Sequence, residues 1–222
     1  VMLSVAENSY AQAYAERYGI PYETRPVPAT IVASGSCGES ANWELDSKGV
    51  LKITGSGAMS DNNPNQTPWE SYKHQIKHVV IGKDITSIGR FNFYWCGKLE
   101  SVSFEEGTQL DRIGYSSLPA IVIPDSVTRI DAYAFYFCSK LVEVTISETS
   151  KLTSMGEYVF KADTKLTKLY IPNDVTNMGA NIFLDATNNV MLSVAENSYA
   201  QAYAERYGIP YETRPMVKDE QY

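Results

Sequence analysis

Histidine is almost missing from this sequence, with His74 and His78 the only two in 222 residues. Two are too few for a Ser-His-Asp or Cys-His arrangement with any supporting neighbour. Their four-residue spacing would suit zinc on one helix, but a third ligand is not in view, and His78 falls in a strand pattern where the pair need not share a face. Cysteine is as scarce. Three, an odd number, do not make a disulfide framework. Apolar runs as long as a membrane span are lacking, so no insertion into a bilayer is expected. Lysine and arginine (19) are outnumbered by aspartate and glutamate (26), and the net charge of −7 argues against a nucleic-acid partner, which needs clustered cations. Val1 opens with neither an initiator methionine nor a secretory signal, as expected for a piece of a larger protein.

Other candidates for chemistry are equally thin. The oxygen-rich loop from Asp61 to Asn65 lacks the alternating acids and glycine of a dedicated calcium loop. Gly55-Ser56-Gly57 lacks the third glycine and the strand-to-helix setting of a dinucleotide site, and Glu105 with Glu106 sits in a solvated turn. Neither a metal, a cofactor nor catalysis is therefore expected.

What the sequence does have is a repeat. From Leu118, the pattern Leu-x-x-Ile-x-Ile places Ile121 and Ile123 on one face of a strand and Val122 on the other. Pro124 ends the strand, and Asp125 with Ser126 turns the chain. Equivalent starts lie at Ile76, Leu99, Leu118, Leu141, Leu166 and Asn189, at spacings of 23, 19, 23, 25 and 23 residues. The strand pairs Val79/Ile81, Val102/Phe104, Ile121/Ile123, Val144/Ile146, Leu169/Ile171 and Leu192/Val194 keep the same register. A second anchor recurs at Ile88-Gly89, Ile113-Gly114, Ile130-Asp131, Met155-Gly156 and Met178-Gly179, and a third at Phe93, Phe135, Phe160 and Phe183. One such unit cannot bury its apolar edge alone, so the units must stack as a solenoid.

Two irregularities stand out. The second and fourth repeats gain two residues in the turn, between Phe104 and Leu110 and between Ile146 and Leu152, which a surface turn absorbs cheaply. The second repeat then loses its Phe-x-x-Cys arm, since Leu118 follows Gly114 by only four positions. Trp95 and Phe137, in the flanking repeats, are expected to fill the space. Cys96 and Cys138 share one buried repeat position about 10 Å apart at strand spacing, too far for a disulfide unless the lost arm brings them closer.

Residues 1–26 recur unchanged at 190–215, offset by 189. Packing cannot demand identity at every exposed position, so this is either a recent tandem duplication or an artificial addition. The later copy ends the stack, with a helix from about Ser198 to Tyr207 capped by Asn197 or Ser198 and stopped at Gly208, its packed stripe formed by Tyr199, Tyr203 and Tyr207. The earlier copy has no repeat before it to cover. It is expected to cap a previous module, and here to pack on the amino-terminal hairpin or on another molecule, giving self-association through residues 1–26. Residues 27–36 read as an extended linker. Residues 37–75 form an amino-terminal cap, a hairpin of Trp43 to Leu45 and Val50 to Thr54 followed by a turn of helix from Pro68. Repeats then occupy 76–188, the carboxy-terminal strand-helix cap 189–215 and a tail 216–222.

These repeats resemble the BspA-type leucine-rich repeat. Ser36-Cys37-Gly38, the Gly49 to Met59 segment and Pro68-Trp69 resemble that family's amino-terminal segment, and Asn197 to Tyr211 its carboxy-terminal helix. The resemblance covers about 36–215 and implies a β-rich leucine-rich-repeat solenoid with an amino-terminal β-hairpin cap and a carboxy-terminal helical cap. It also implies a secreted or surface-displayed bacterial protein, an extracellular adhesin whose partners are host matrix proteins, mucins or glycans. A spacer unit in a tandem-repeat surface protein is the competing expectation. Concave strand rows are where repeat proteins usually bind, which makes the outward positions His78, Val80, Ser101, Ser103, Val122, Glu143, Thr145, Lys168 and Tyr170 the expected binding row.

Overall fold

The computed structural model describes residues 2–115, 118, 120–138, 140–186 and 190–215. The chain starts with a small strand-helix-strand unit: β1 (Leu3–Ala6), α1 (Tyr10–Tyr18) and β2 (Tyr22–Arg25). An antiparallel sheet follows, β3 (Ile31–Ser36), β4 (Ser40–Asp46) and β5 (Val50–Ala58), and then a 3-10 turn at Glu70–Tyr72.

Five rungs come next, each with two short strands and all but the second with an arm. They are β6 (His78–Ile81) with β7 (Ile85–Ile88), β8 (Ser101–Phe104) with β9 (Arg112–Ile113), β10 (Ile121–Ile123) with β11 (Arg129–Ile130), β12 (Val144–Ile146) with β13 (Ser154–Met155), and β14 (Lys168–Tyr170) with β15 (Asn177–Met178). The chain closes with β16 (Met191–Ala195), α2 (Tyr199–Tyr207) and β17 (Tyr211–Arg214). The repeat start assigned to Asn189 and the tail 216–222 lie outside the described residues.

The alternation read from the sequence now has a direction. Val79, Ile81, Ile121, Ile123, Val144, Ile146, Leu169 and Ile171 all point into one continuous core. The first strand row is parallel but broken: β5, β6 and β8 form one ladder, β10 and β12 another, β14, β16 and β17 a third. Each break follows a rung with the two-residue insertion. The second row, β5, β7, β9, β11, β13 and β15, runs unbroken. Its anchor glycines explain the tight stacking, since a Cβ on Gly156 would lie 2.3 Å from the backbone nitrogen of Ala132 in the rung before. The arms stack aromatic rings. Trp69 lies against Phe93 at 5.7 Å, Phe135 against Phe160 at 5.3 Å, and Phe160 against Phe183 at 5.5 Å, all near parallel. Between Phe93 and Phe135 the shortened second rung supplies no phenylalanine to this stack.

Three expectations change. The linker is shorter than 27–36, because Ile31–Ser36 pairs with β4 as a third strand, covering an edge that a bare hairpin would leave open. The stripe on α2 is not three tyrosines. Ala200, Tyr203 and Ala204 are its buried residues, the alanines allowing close approach, while Tyr199 stays exposed. Trp95 and Phe137 do not fill the gap, being 65% and 63% exposed. Each has a left-handed backbone, φ 59° and 55°, at an arm position held in the later rungs by Ala162 and Asp185 with the same φ sign. That backbone is architectural, and it turns the side chain to solvent.

Candidate functional site

The shortened rung leaves a groove of about 420 Å³ between the arms of the first and third rungs. Cys96, Leu99, Leu118 and Cys138, all buried, form its floor, and Tyr94, Trp95, Tyr115, Tyr136 and Phe137 its walls. Tyr115, directly after the anchor glycine of the short rung, bridges the walls. Its ring lies 5.7 Å from Tyr94 and 6.1 Å from Tyr136, and those rings in turn lie 5.7 Å from Trp95 and 6.2 Å from Phe137. Burial pushes the Tyr115 phenol well up, so it remains a neutral hydrogen-bonding group. Lys140 Nζ donates to the carbonyl of Gly97 at 2.6 Å, tying the third rung to the first across one side of the groove.

A second groove of about 530 Å³ shares Tyr115 and Tyr136 and adds Phe91, Tyr133, Arg90, Arg112 and Asp131. Arg112 pairs with Asp131 and lies 3.9 Å from Asp61, which also pairs with Arg90 at 3.2 Å. The Arg90 backbone N–H, followed by the two guanidiniums, holds the Asp61 carboxyl below its ordinary range despite partial burial. Asp61 is thus committed to the scaffold, as is its neighbour Asn62, whose amide donates to Asn92 Oδ1 at 2.9 Å.

The groove offers ring faces, phenolic hydroxyls and one ammonium, suited to holding a ligand. Its thiols are not poised to react: burial pushes Cys96 up to about 12 and Cys138 well above the ordinary thiol value. No disulfide joins Cys37, Cys96 and Cys138. Among the described residues no cluster of three or more His, Cys, Asp or Glu could hold a metal ion. His78 instead meets Ser101 Oγ through Nδ1 at 2.9 Å, and His74 is exposed elsewhere.

The strand row expected from the sequence is assembled as an outward face. His78 lies beside Ser101, Val80 beside Ser103, and Val122 beside Thr145, in parallel register. Several members already have partners within the chain. Thr145 donates to Glu143, Lys168 pairs with Glu212 at 2.7 Å, and the Arg214 guanidinium covers Tyr170 at 4.0 Å from its ring centre. Tyr94, Tyr115, Tyr136 and Lys140 were not singled out by the sequence as a site. The signal for them was the missing arm beside two aromatic pairs, which spacing alone reads as packing.

Residues 71–190 match the family described as the BspA type leucine rich repeat region, in six copies, over more than half of the chain. Among solved structures, a leucine rich cell surface protein from Faecalibacterium prausnitzii A2-165 aligns with 75% of this chain and 55% of its own, at 20% identity and TM-score 0.43. The pneumococcal vaccine antigen PcpA aligns with 77% of this chain and 51% of its own, at 18% identity and TM-score 0.49. The leucine rich repeat protein of T. pallidum aligns with 72% and 71%, at 19% identity and TM-score 0.39. This chain therefore spans about half the length of the first and second of these. Among curated proteins, none matches.

Proposed function

Because the chain belongs to the BspA-type leucine-rich repeat family, we propose that it is a non-catalytic recognition module of a secreted or surface-displayed bacterial protein, acting in adhesion to protein or glycan partners. The observation that carries the reading is the aromatic groove at the shortened rung. Trp95 and Phe137 stand about two-thirds exposed on either side of it. Large apolar rings gathered in a cleft of several hundred Å³ are the usual form of a binding site, and Tyr and Trp combine apolar area with a polar handle. The strand row from His78 to Tyr170 is the second candidate surface of the same module.

Binding of the purified chain to immobilised matrix proteins, mucins and glycans tests this. Saturable binding that falls at least tenfold in the Trp95→Ser, Phe137→Ser double variant supports the groove. Loss only in a Val80→Ser, Tyr170→Ser variant moves the site to the strand row. Absence of binding across the panel favours the spacer reading, for which the identical 26-residue segments at 1–26 and 190–215 speak, since tandem units can project another domain without a ligand of their own.

A further inference from the structure

The two copies of the 26-residue segment fold alike and differ in what lies against them. β1 pairs with β2 in the same parallel register as β16 with β17, Leu3 opposite Tyr22 and Leu192 opposite Tyr211. Ser9 and Ser198 cap the two helices, and Gly19 and Gly208 stop them with φ 63° and 65°. Each unit is thus formed by its own sequence. The later copy is seated on the last rung: β16 takes β14 on its other edge, and Tyr203 Oη accepts the N–H of Ile182 at 3.1 Å. Leu192 is fully buried there and Tyr203 is 5% exposed, whereas their counterparts Leu3 and Tyr14 are 37% and 46% exposed. Among the described residues β1 pairs with β2 alone, in a two-stranded sheet.

The uncovered surface of the first copy is therefore the surface with which its twin grips a rung. We propose that residues 1–26 of one molecule dock on the terminal rung of a second copy of this chain, taking the place of that copy's own cap. The contacts are those already seen once: β1 as a parallel neighbour of β14, the Tyr14 hydroxyl on the N–H of Ile182, and Glu23 toward Lys168 as Glu212 now is. Because the donor and acceptor surfaces differ, the contact is head-to-tail and builds open chains, or a ring where successive copies close on one another. The resident cap competes with an identical sequence and the advantage of its tether, an effective concentration of about millimolar order. Exchange is consequently weak until that cap is loosened.

Ala200 loosens it selectively. It is buried against the stack, while its counterpart Ala11 is exposed, so a change there strikes docking more than the unit's own fold. Light scattering on the full-length Ala200→Arg chain is expected to show mass rising with concentration to twice the monomer and beyond. Adding Ala11→Arg is expected to return it to monomer. A monomeric Ala200→Arg chain, or association that Ala11→Arg leaves intact, overturns the proposal. If Ala200→Arg does not fold, a Met2→Cys, Lys168→Cys pair in the otherwise unchanged chain decides, because Met191 is the register partner of Lys168. Disulfide-linked multimers on oxidation at high concentration, missing from a Met2→Cys, Glu143→Cys control, support the exchange. Monomer alone, or multimers equal to the control, overturns it.

Discussion

Asp163 occupies the arm position that holds Cys96 and Cys138 in earlier rungs and Ala186 in the last, all of them buried. A carboxylate is out of place among them. Its Oδ1 accepts the backbone N–H of Cys138 at 2.6 Å, while Oδ2 is buried without a hydrogen-bond partner among the described residues. Burial outweighs the hydrogen bond and pushes its pKa up to about 8 from an ordinary 3.8. The folded state thus holds the proton more tightly than the unfolded state. The contribution of Asp163 to stability is full below about pH 4, falls as pH rises from 4 to 8, and is level above that. The slope is on the order of 1 kcal/mol per pH unit inside that window. Asp163→Asn retains an acceptor for Cys138 and removes the titration. Its melting temperature is expected to stay level across pH 4 to 8 while that of the wild type declines, and parallel declines would dismiss the argument.

At the scale of the element, the arm sorts its residues by backbone rather than by hydropathy. In the third rung Phe135 is fully buried in the ring stack, and Phe137, two residues on, is exposed at φ 55°. Spacing made Phe135 legible as core because it recurs at Phe93, Phe160 and Phe183. The same sequence could not reveal Phe137 as surface, since left-handed φ at a bulky residue leaves no mark in composition. Phe135→Ala is expected to cost about 3–5 kcal/mol through the cavity it opens in the stack. Phe137→Ala is expected to stay within about 0.5 kcal/mol. Urea denaturation of the two variants measures both, and equal losses would restore Phe137 to the core. The strand rows were legible for the same reason as Phe135, by recurrence. β3 was not, because Ile31–Ser36 has no repeat partner and its small residues resemble a linker.

For the whole molecule, position in the stack decides what an identical sequence contributes. A solenoid is close to one-dimensional, each unit gaining stability from its neighbours, and the duplicated segment offers a controlled comparison. Tyr203 touches the last rung through its buried ring and through the Ile182 N–H. Tyr14, the equivalent residue of the identical helix α1, carries a half-exposed ring with no rung against it among the described residues. The unequal burial of the two caps was therefore legible from their places in the sequence, one after the last repeat and one with no repeat before it, but not from the 26 residues themselves, which are identical. Tyr203→Ala is expected to lower the stability of the stack by about 3 kcal/mol, the range for losing a large buried aromatic together with its hydrogen bond. Tyr14→Ala, measured on dilute protein where exchange between molecules is negligible, is expected to leave the stack's unfolding midpoint within about 0.5 kcal/mol of the wild type. Equal losses at the two positions would mean that the first copy is already seated on a rung in solution, and that the tethered cap does not hold its own place unaided.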